Sequence, residues 1–238
     1  MNYKKLIIII PAFNEEKTIS DVIKRIPVIH NLKQEIIVID DGSTDTTALR
    51  AKKAGAHVIS NKTNQGLGFC LKEGLIAALK NRADIIVNID ADGQYDPGRI
   101  PDLINPILME NVDLVIGNRF LGEIKYKMNI IKKWGNKIIS IFISKVLLRL
   151  EEIYDIQSGY RSINKNLAKI LVKVLTSNYT YTQEMIILSS LLGFKMKQIS
   201  IDFFQRTSGK SRLIKNPFKY LFKVLWVSVR TYCINKYK

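Results

Sequence analysis

The apolar residues of this chain form short uninterrupted runs that alternate with longer stretches of mixed character. Runs such as Leu6–Ile10 are rich in β-branched residues and apolar on both faces, which is typical of strands buried in a parallel sheet. The stretches between them repeat apolar residues at helical spacing, as Ile19, Val22 and Ile26 do. The pattern predicts strands at Leu6–Ile10, Ile36–Ile39, His57–Ile59, Ile85–Ile89, Leu114–Ile116 and Met196–Phe204.

Helices are predicted between these strands, so we expect an α/β fold with a mostly parallel central sheet and helices on both faces. Ser43 or Thr44 is expected to cap the second helix and Gly55 to end it. Tyr154–Arg161 is expected to be a polar loop. The predicted helices span Glu15–Ile29, a segment ending at Ala54, a segment ending near Lys80, Pro97–Met109, Asn164–Leu175 and Thr182–Leu192.

The formal charge of +16 is concentrated in two segments. Residues 124–150 carry seven Lys/Arg and residues 203–238 carry nine, and neither segment contains an acidic residue. Such segments are typical of surfaces that face a polyanion, either anionic lipid or nucleic acid. We expect a catalytic domain over residues 1–212, which includes a basic amphipathic segment at 128–150, and a basic amphipathic helix over 213–238.

The C-terminal segment combines this charge with aromatic residues at helical spacing. Lys215, Lys219 and Lys223 recur every four residues beside Phe222 and Trp226. A basic amphipathic helix of this kind favours the interface of an anionic membrane, whereas the alternative is a helix packed on the core with a solvated lysine face. No apolar run reaches the roughly 18 residues of a spanning helix. We therefore predict a peripheral protein on the cytoplasmic face of a membrane.

Polar clusters follow three of the predicted strands. Asp40 and Asp41 follow the second strand, Asp90 and Asp92 the fourth, and Arg119 the fifth. Parallel sheets bind ligands at the carboxyl ends of their strands, so these residues are expected to converge. Carboxylates suit a hard cation such as Mg²⁺ or Mn²⁺, and such a cation binds diphosphate.

Six motifs in this order resemble the family-2 glycosyltransferases of the GT-A fold. The resemblance is closest to the dolichol-phosphate mannosyltransferase branch, which transfers a sugar from a nucleotide to a polyprenyl phosphate. Phe13 replaces the usual Tyr of that branch, Asn118 the usual Ser and Arg212 the usual Lys. The motifs are Ile10–Glu16, Glu35–Asp45, Asp90–Gln94, Gly117–Arg119, Asp155–Arg161 and Arg206–Arg212.

The resemblance implies a metal-dependent hexosyltransferase that inverts the sugar's anomeric carbon and uses GDP-mannose or a UDP-hexose. Asp92, Arg119 and Asp155 are the implied catalytic residues, and Asp90, Asp92 and Gln94 the implied Mg²⁺ or Mn²⁺ ligands. Asp155 is expected to shape the acceptor end of the site more than to act as a base. The implied nucleotide-sugar site comprises Pro11, Phe13, Glu15, Val38, Asp40, Asp41, Asp90, Ala91, Asp92, Gln94, Arg119, Arg206 and Arg212.

Lys132, Lys133 and Asn136 are candidates for the acceptor phosphate. The expected partners are a nucleotide sugar, a polyprenyl (dolichyl or undecaprenyl) phosphate, an anionic membrane and possibly a separate membrane-anchoring subunit, with no nucleic acid. Two alternatives remain at this stage. One is a family-2 enzyme that acts on another lipid or glycan. The other is a non-catalytic basic module that binds membrane or nucleic acid.

Overall fold

The computed structural model of this chain describes residues 4–125, 130–176, 180–206 and 217–236. Within them, strands form one seven-stranded sheet in the order β3-β2-β1-β4-β6-β5-β7. Its strands are β1 (Lys5–Ala12), β2 (Lys33–Asp40), β3 (His57–Ser60), β4 (Ile85–Asn88), β5 (Leu114–Asn118), β6 (Arg161–Asn164) and β7 (Met196–Ser200).

Every strand pairing in this sheet is parallel except the two that β6 makes with β4 and β5. The predicted α/β fold with a mostly parallel sheet is therefore confirmed. One strand was not predicted: β6 (Arg161–Asn164) lies between the predicted loop at Tyr154–Arg161 and the predicted helix at Asn164–Leu175. Its register places Arg161 opposite Asn88 at the end of β4. The strand was missed because Ile163 is its one large apolar residue.

Helices cover both faces of the sheet, and a separate apolar cluster lies beneath each face. One face carries α1, α2 and α4, and the other carries α3, α6, α7 and α8. The helices are α1 (Ile19–Lys24), α2 (Thr47–Lys53), α3 (Leu67–Lys80), α4 (Ile100–Met109), α5 (Ile130–Ile141), α6 (Lys165–Val174), α7 (Tyr181–Leu191) and α8 (Pro217–Lys236).

Two predicted helix starts are wrong, for reasons the structure shows. The predicted helix at Glu15–Ile29 shrinks to α1. A turn in which the Glu15 carbonyl accepts the Thr18 and Ile19 N–H groups precedes α1, and Pro27 follows it. Ser43 and Thr44 do not cap α2, which begins after Thr46. The Ser43 hydroxyl instead accepts the Asn14 backbone N–H, and the Thr44 backbone N–H donates to the Asn14 side-chain oxygen.

Helix α8 packs against α7 through a narrow stripe of small side chains. Val224, Ser228 and Thr231 are buried, whereas Phe222 is 73% exposed and Trp226 is 62% exposed. The stripe repeats at positions i, i+4 and i+7, so these three residues lie on one face of the helix, toward the protein. Phe222 and Trp226 point outward.

Helix α5 lies beside α8 and shows the same inverted pattern. Its described buried positions are Asn136, Ile139 and Ser140, while Trp134 is 58% exposed and Ile138 is 59% exposed. A π-helical turn over Phe142–Leu147 continues this helix, buries Ile143 and leaves Val146 exposed. Two neighbouring helices thus bury polar side chains beside aliphatic ones and expose several large apolar side chains. In the described part of the chain, no helix combines the length and apolarity that crossing a membrane requires.

Candidate active site

The polar clusters predicted from the sequence converge at the carboxyl edge of the sheet. Strands β1 and β2 run parallel with Ala12 opposite Asp40, and β4 ends beside β1 two residues before Asp90. Strand β5 ends at Asn118, directly before Arg119. This convergence follows from the parallel register, because parallel strands present their carboxyl ends at one edge.

Asp90 is half-buried, and its carboxylate oxygen Oδ1 is buried without a hydrogen-bond partner among the described residues. A Cβ added at Gly159 would lie 2.9 Å from each carboxylate oxygen of Asp90, so the glycine backbone packs directly against it. The Gly159 carbonyl accepts a bond from Asn88 Nδ2 at 2.7 Å. Burial first, and then the charge of Asp92, raises the pKa of Asp90 well above its usual range.

Asp92 lies beside Glu15 and Arg206, which form one network of ion pairs. Arg206 Nη1 is 3.3 Å from Asp92 Oδ2, and Arg206 Nη2 contacts Glu15 Oε1. Burial raises the pKa of Glu15, and the charge of Arg206 partly opposes this shift. The Arg206 guanidinium thus pairs with two carboxylates that are far apart in the sequence.

Arg119 and Asp155 form a buried bidentate ion pair. Arg119 Nε is 2.6 Å from Asp155 Oδ2, and Arg119 Nη2 is 2.8 Å from Asp155 Oδ1. The Arg119 backbone N–H also donates to Oδ2 at 3.2 Å. The guanidinium lies 5.1 Å from the centre of the Phe203 ring. The charge of Asp155 keeps the pKa of Arg119 above its usual value despite burial.

Asp40 and Asp41 have different roles in the structure. Asp41 accepts bonds from the backbone N–H groups of Gln65 and Gly66, each at 2.8 Å, and so holds the turn that leads into α3. Asp40 accepts the Ser43 N–H at 3.2 Å through Oδ1. Asp41 is therefore committed to the loop, whereas no bond to Oδ2 of Asp40 is seen within the described residues.

Three predicted ligand-binding residues have their own contacts within the protein, and their roles toward a ligand stay predictions. Val38 and Ala91 lie in the apolar cluster beneath the site, which leaves only their backbone for a nucleotide. Gln94 Nε2 donates to the Phe204 carbonyl at 3.0 Å and thereby ties the loop after β4 to the segment after β7. Pro11 is buried at the end of β1, and Phe13 is half-buried beyond it.

The predicted acceptor side is described in part. Asn136 is buried on the inner side of α5. The side chains of Lys132, Lys133 and Lys219 lie outside the description, and so do Lys215 and Arg212. The expected roles of these residues remain predictions.

Comparison with known proteins assigns the family. Residues 7–171 match the model described as Glycosyl transferase family 2. The chain belongs to this family. The glycosyltransferase is 30% identical over 247 residues to the UDP-N-acetylglucosamine–dolichyl-phosphate N-acetylglucosaminyltransferase of Methanococcus voltae, which covers 95% of this chain and 97% of the relative. It is 27% identical over 245 residues to the polyprenol monophosphomannose synthase of Mycolicibacterium smegmatis, covering 95% and 88%.

A solved structure agrees with the fold. The glycosyltransferase superposes on glucosyl-3-phosphoglycerate synthase from Mycobacterium tuberculosis, in complex with Mn²⁺, UDP-glucose and phosphoglyceric acid, with a TM-score of 0.73. The identity is 23%, and the match covers 97% of this chain and 80% of that chain. The predicted GT-A fold is confirmed. The predicted resemblance to family 2 and its polyprenyl-phosphate branch is confirmed as well.

The side chains of the glycosyltransferase fit a divalent cation at Asp90 and Asp92. Asp90 offers a buried oxygen without a partner, and the two carboxylates repel each other as long as no cation lies between them. Among the described residues, no cluster of three His, Cys, Asp or Glu side chains surrounds a common point. This agrees with Mg²⁺ chemistry, in which one or two carboxylates suffice when substrate phosphates and water complete the shell.

Sequence reasoning missed residues that support the site from behind. The Tyr95 hydroxyl accepts the Gly159 N–H at 3.2 Å, and the Tyr95 ring packs between Tyr160 and Phe203. Burial raises the pKa of Tyr95 to about 12, so its hydroxyl stays protonated at neutral pH. Arg161 lies behind the loop 155–160, which contains Gly159. Tyr95 follows the Asp90–Gln94 motif and Arg161 ends the Asp155–Arg161 motif, but other residues of these motifs suggested the site. Burial in the folded chain is what distinguishes Tyr95 and Arg161.

Proposed function

We propose that this glycosyltransferase transfers a sugar from a nucleotide sugar to a polyprenyl phosphate at the surface of an anionic membrane. The observation that carries the proposal is the Asp90–Asp92 carboxylate pair at the carboxyl edge of the sheet, with the unpartnered oxygen of Asp90. The similarity to two enzymes named for polyprenyl lipid substrates supports the acceptor class. The sugar and the nucleotide base are left open by this proposal.

The donor is expected to bind across β1, β2 and β4. Asp90 and Asp92 would hold Mg²⁺ or Mn²⁺ against the diphosphate, where the bound cation stabilises the charge that develops on the leaving group. Arg206 lies at 3.3 Å from Asp92 and is the nearest described cation for the same phosphates. Asp40 and Phe13 would contact the nucleoside.

The acceptor needs orientation more than deprotonation. The second pKa of a phosphate monoester is about 6, so a polyprenyl phosphate is largely a dianion at neutral pH. Asp155 receives three donors from Arg119 and is fully buried, which suits a positioning role rather than that of a base. Lys132, Lys133 and Asn136 remain the proposed contacts of the acceptor phosphate.

The chemical step is a single displacement. An oxygen of the acceptor phosphate attacks the anomeric carbon, the bond from that carbon to the diphosphate oxygen breaks, and the electron pair leaves with the nucleoside diphosphate. Attack in line with the leaving group inverts the anomeric centre. An α-linked nucleotide sugar should therefore give a β-linked lipid product.

The inverted helices α5 and α8 support docking on a membrane. A helix that packs through Ser228 and Thr231 while it exposes Phe222 and Trp226 presents its apolar face to an outside partner. Lys223 and Arg230 are exposed on α8, and Lys137 lies 5.9 Å from the Trp134 ring centre on α5. Aromatic and basic side chains together suit the headgroup region of an anionic bilayer. We place this surface on the cytoplasmic face, where nucleotide sugars and anionic lipids are both available.

A donor screen tests the proposed function. Purified protein, Mg²⁺ or Mn²⁺ and undecaprenyl or dolichyl phosphate in vesicles would be incubated with radiolabelled GDP-mannose, UDP-glucose or UDP-N-acetylglucosamine. We expect one donor to label the lipid and EDTA to abolish labelling. Asp92→Asn should abolish it while the fold is retained, because an amide is a poorer ligand for a hard cation. The exposed change Asp102→Asn serves as the matched control.

Two outcomes would contradict the proposal. Label that appears only in water-soluble products, with every lipid phosphate unmodified, would rule out the acceptor class. Transfer that persists in EDTA would rule out the metal role of Asp90 and Asp92. The anomeric coupling constant of the product, measured by NMR, checks the single displacement separately, since an α-linked product would require a different mechanism.

A further inference from the structure

Arg161 is a buried arginine without a counter-ion. It is 2% exposed, and in the part of the chain that the structure describes no carboxylate lies within ion-pair distance of its guanidinium. The cavity beside it measures about 10 Å³, which leaves room for at most one water molecule. Burial lowers the pKa of Arg161 to about 10, so it still carries its charge at neutral pH. A buried charge without a counter-ion is costly unless hydrogen bonds satisfy it, so the bonds that Arg161 makes are informative.

The guanidinium of Arg161 binds three backbone carbonyls. Nε donates to the Ser158 carbonyl at 2.8 Å, Nη2 to the Ile156 carbonyl at 3.0 Å and Nη1 to the Thr182 carbonyl at 2.7 Å. Two of these carbonyls belong to the loop 155–160, and the third belongs to the first turn of α7. One side chain thus fastens the loop to a buried helix.

The loop 155–160 carries two functional contacts at its ends. Asp155 at one end pairs with Arg119, and Gly159 at the other end packs against the carboxylate of Asp90. The Ile156 and Ser158 carbonyls bound by Arg161 lie between these ends. A shift of the loop would move the support behind Asp90 and the partner of Arg119 together.

We propose that Arg161 is a positioning residue of the glycosyltransferase, whose three bonds to backbone carbonyls hold the loop 155–160 so that Asp90 and Asp155 keep their places. This inference rests on the proposed function for its link to sugar transfer. The planar fork of arginine reaches several acceptors in fixed directions, whereas a lysine ammonium offers one nitrogen. Arg161→Lys therefore keeps the charge but loses the clamp, by which we mean the three bonds from the guanidinium to backbone carbonyls.

Hydrogen–deuterium exchange tests the clamp without any substrate. In Arg161→Lys we expect amide exchange in residues 156–160 to rise at least tenfold, while β1 and β2 keep the wild-type rate. Leu171→Ala is the matched control, because Leu171 is fully buried on α6 and is not one of the residues that Arg161 binds. The control should lose stability without a selective change in the loop. Unchanged exchange of 156–160 in Arg161→Lys would overturn the inference.

Affinity for Mn²⁺ with UDP or GDP, measured by calorimetry, tests the consequence for the site. We expect Arg161→Lys to bind the nucleotide preferred by the wild type at least tenfold more weakly, and Leu171→Ala to bind it within twofold of the wild type. Arg161→Ala should regain affinity with methylguanidine and not with methylamine, which a general loss of folding does not predict. A loosened loop with wild-type affinity would overturn the positioning role.

The failure of the proposed function would look different. If the wild type binds a metal–nucleotide complex and transfers no sugar to lipid phosphate, then the proposed acceptor is wrong. The exchange and affinity measurements on Arg161→Lys still decide whether Arg161 positions the loop.

Discussion

Arg119 and Asp155 bind each other through both oxygens of the carboxylate, with Nε–Oδ2 and Nη2–Oδ1 distances of 2.6 and 2.8 Å. The Asp155 side chain is fully buried, and Arg119 is almost so. This pair links the end of β5 to the loop before β6, which are adjacent at the carboxyl edge. It therefore joins two segments that border the carboxyl edge of the sheet.

Removal of one partner from this buried pair should be strongly destabilising. We expect Asp155→Asn to lower the free energy of unfolding by about 3–5 kcal/mol, because Arg119 is left with an uncompensated buried charge. Urea denaturation of the purified proteins measures this change. In the double variant Arg119→Met with Asp155→Leu, the loss should be smaller than the sum of the losses in Arg119→Met alone and Asp155→Leu alone.

An exposed ion pair on the same protein provides the control. Lys197 and Glu110 lie 2.7 Å apart, and both side chains are largely solvated. Glu110→Gln should change the free energy of unfolding by less than about 1 kcal/mol. Equal losses for Asp155→Asn and Glu110→Gln would mean that the buried pair does not stabilise the fold.

Asp90→Asn should stabilise the metal-free protein in a pH-dependent way. The pKa of Asp90 is raised in the folded state, so the folded protein holds a proton that the unfolded chain has released. The stability that this proton provides is present below the unfolded pKa, near 3.8, and is lost as the pH rises through the folded pKa. The gain from Asn is therefore small at pH 4.5 and about 1–3 kcal/mol at pH 8. Thermal melts in EDTA at both pH values measure it.

The same variant should lose its affinity for Mn²⁺, because the amide lacks the charge that the cation requires. A variant that is more stable but binds less metal is expected where a residue serves metal binding at a cost to the stability of the fold. Asp102→Asn on the exposed surface of α4 should alter neither quantity. If Asp90→Asn were less stable than the wild type at pH 8, the inference that the charged Asp90 carboxylate destabilises the folded protein would be wrong.

Gly159→Ala should damage the metal site and spare the fold. The new Cβ would lie 2.9 Å from both oxygens of Asp90, closer than ordinary van der Waals contact, so the carboxylate must move. We expect affinity for Mn²⁺ with UDP or GDP to fall at least tenfold, as measured by calorimetry. Gly135→Ala, at a helical position where a Cβ meets nothing within 4 Å, is the matched control. Equal affinities of the two variants would show that Asp90 tolerates displacement.

The sequence was sufficient to predict the sheet and the edge at which the site forms, because strands that are apolar on both faces and end in carboxylates carry that information locally. It was not sufficient for β6, whose pairing with β4 and β5 comes from the fold rather than from an apolar run. The predicted helix start at Glu15 was also early. The Glu15 carbonyl accepts the Thr18 and Ile19 N–H groups, so a turn precedes α1, which begins only at Ile19.

The sequence predicted which residues belong to the site. The structure shows which of these residues bind other parts of the protein. Asp41 and Gln94 looked like ligand-binding residues, yet their bonds to Gln65 and Phe204 hold loops. Arg161 lay in a recognised motif and acquired a role only when its three carbonyl partners were visible. Contacts of this kind join distant parts of the chain, so no local spacing reports them.

The exposed aromatic residues of α8 should hold the protein on anionic vesicles. Each of Phe222 and Trp226 can bury apolar surface in the interface, worth about 1.5–3 kcal/mol per side chain. The double variant Phe222→Ser with Trp226→Ser should therefore bind vesicles of phosphatidylserine and phosphatidylcholine roughly a hundredfold more weakly or worse. Lys223→Gln should weaken binding by about 1 kcal/mol, and this loss should shrink at high salt. Co-sedimentation with the vesicles measures both effects.

The controls separate docking from folding and from catalysis. Leu49→Ser and Met109→Ser remove exposed apolar side chains from the opposite face of the sheet and should leave vesicle binding unchanged. Transfer to a short, water-soluble prenyl phosphate should stay near the wild-type rate in the Phe222→Ser/Trp226→Ser protein, because the Ser228 side of α8 that packs on α7 is intact. Transfer to long-chain lipid in vesicles should fall. If both substrates lose activity equally, α8 serves the fold or the site. If vesicle binding does not change, the surface of α8 is covered by another partner, such as a membrane-anchoring subunit.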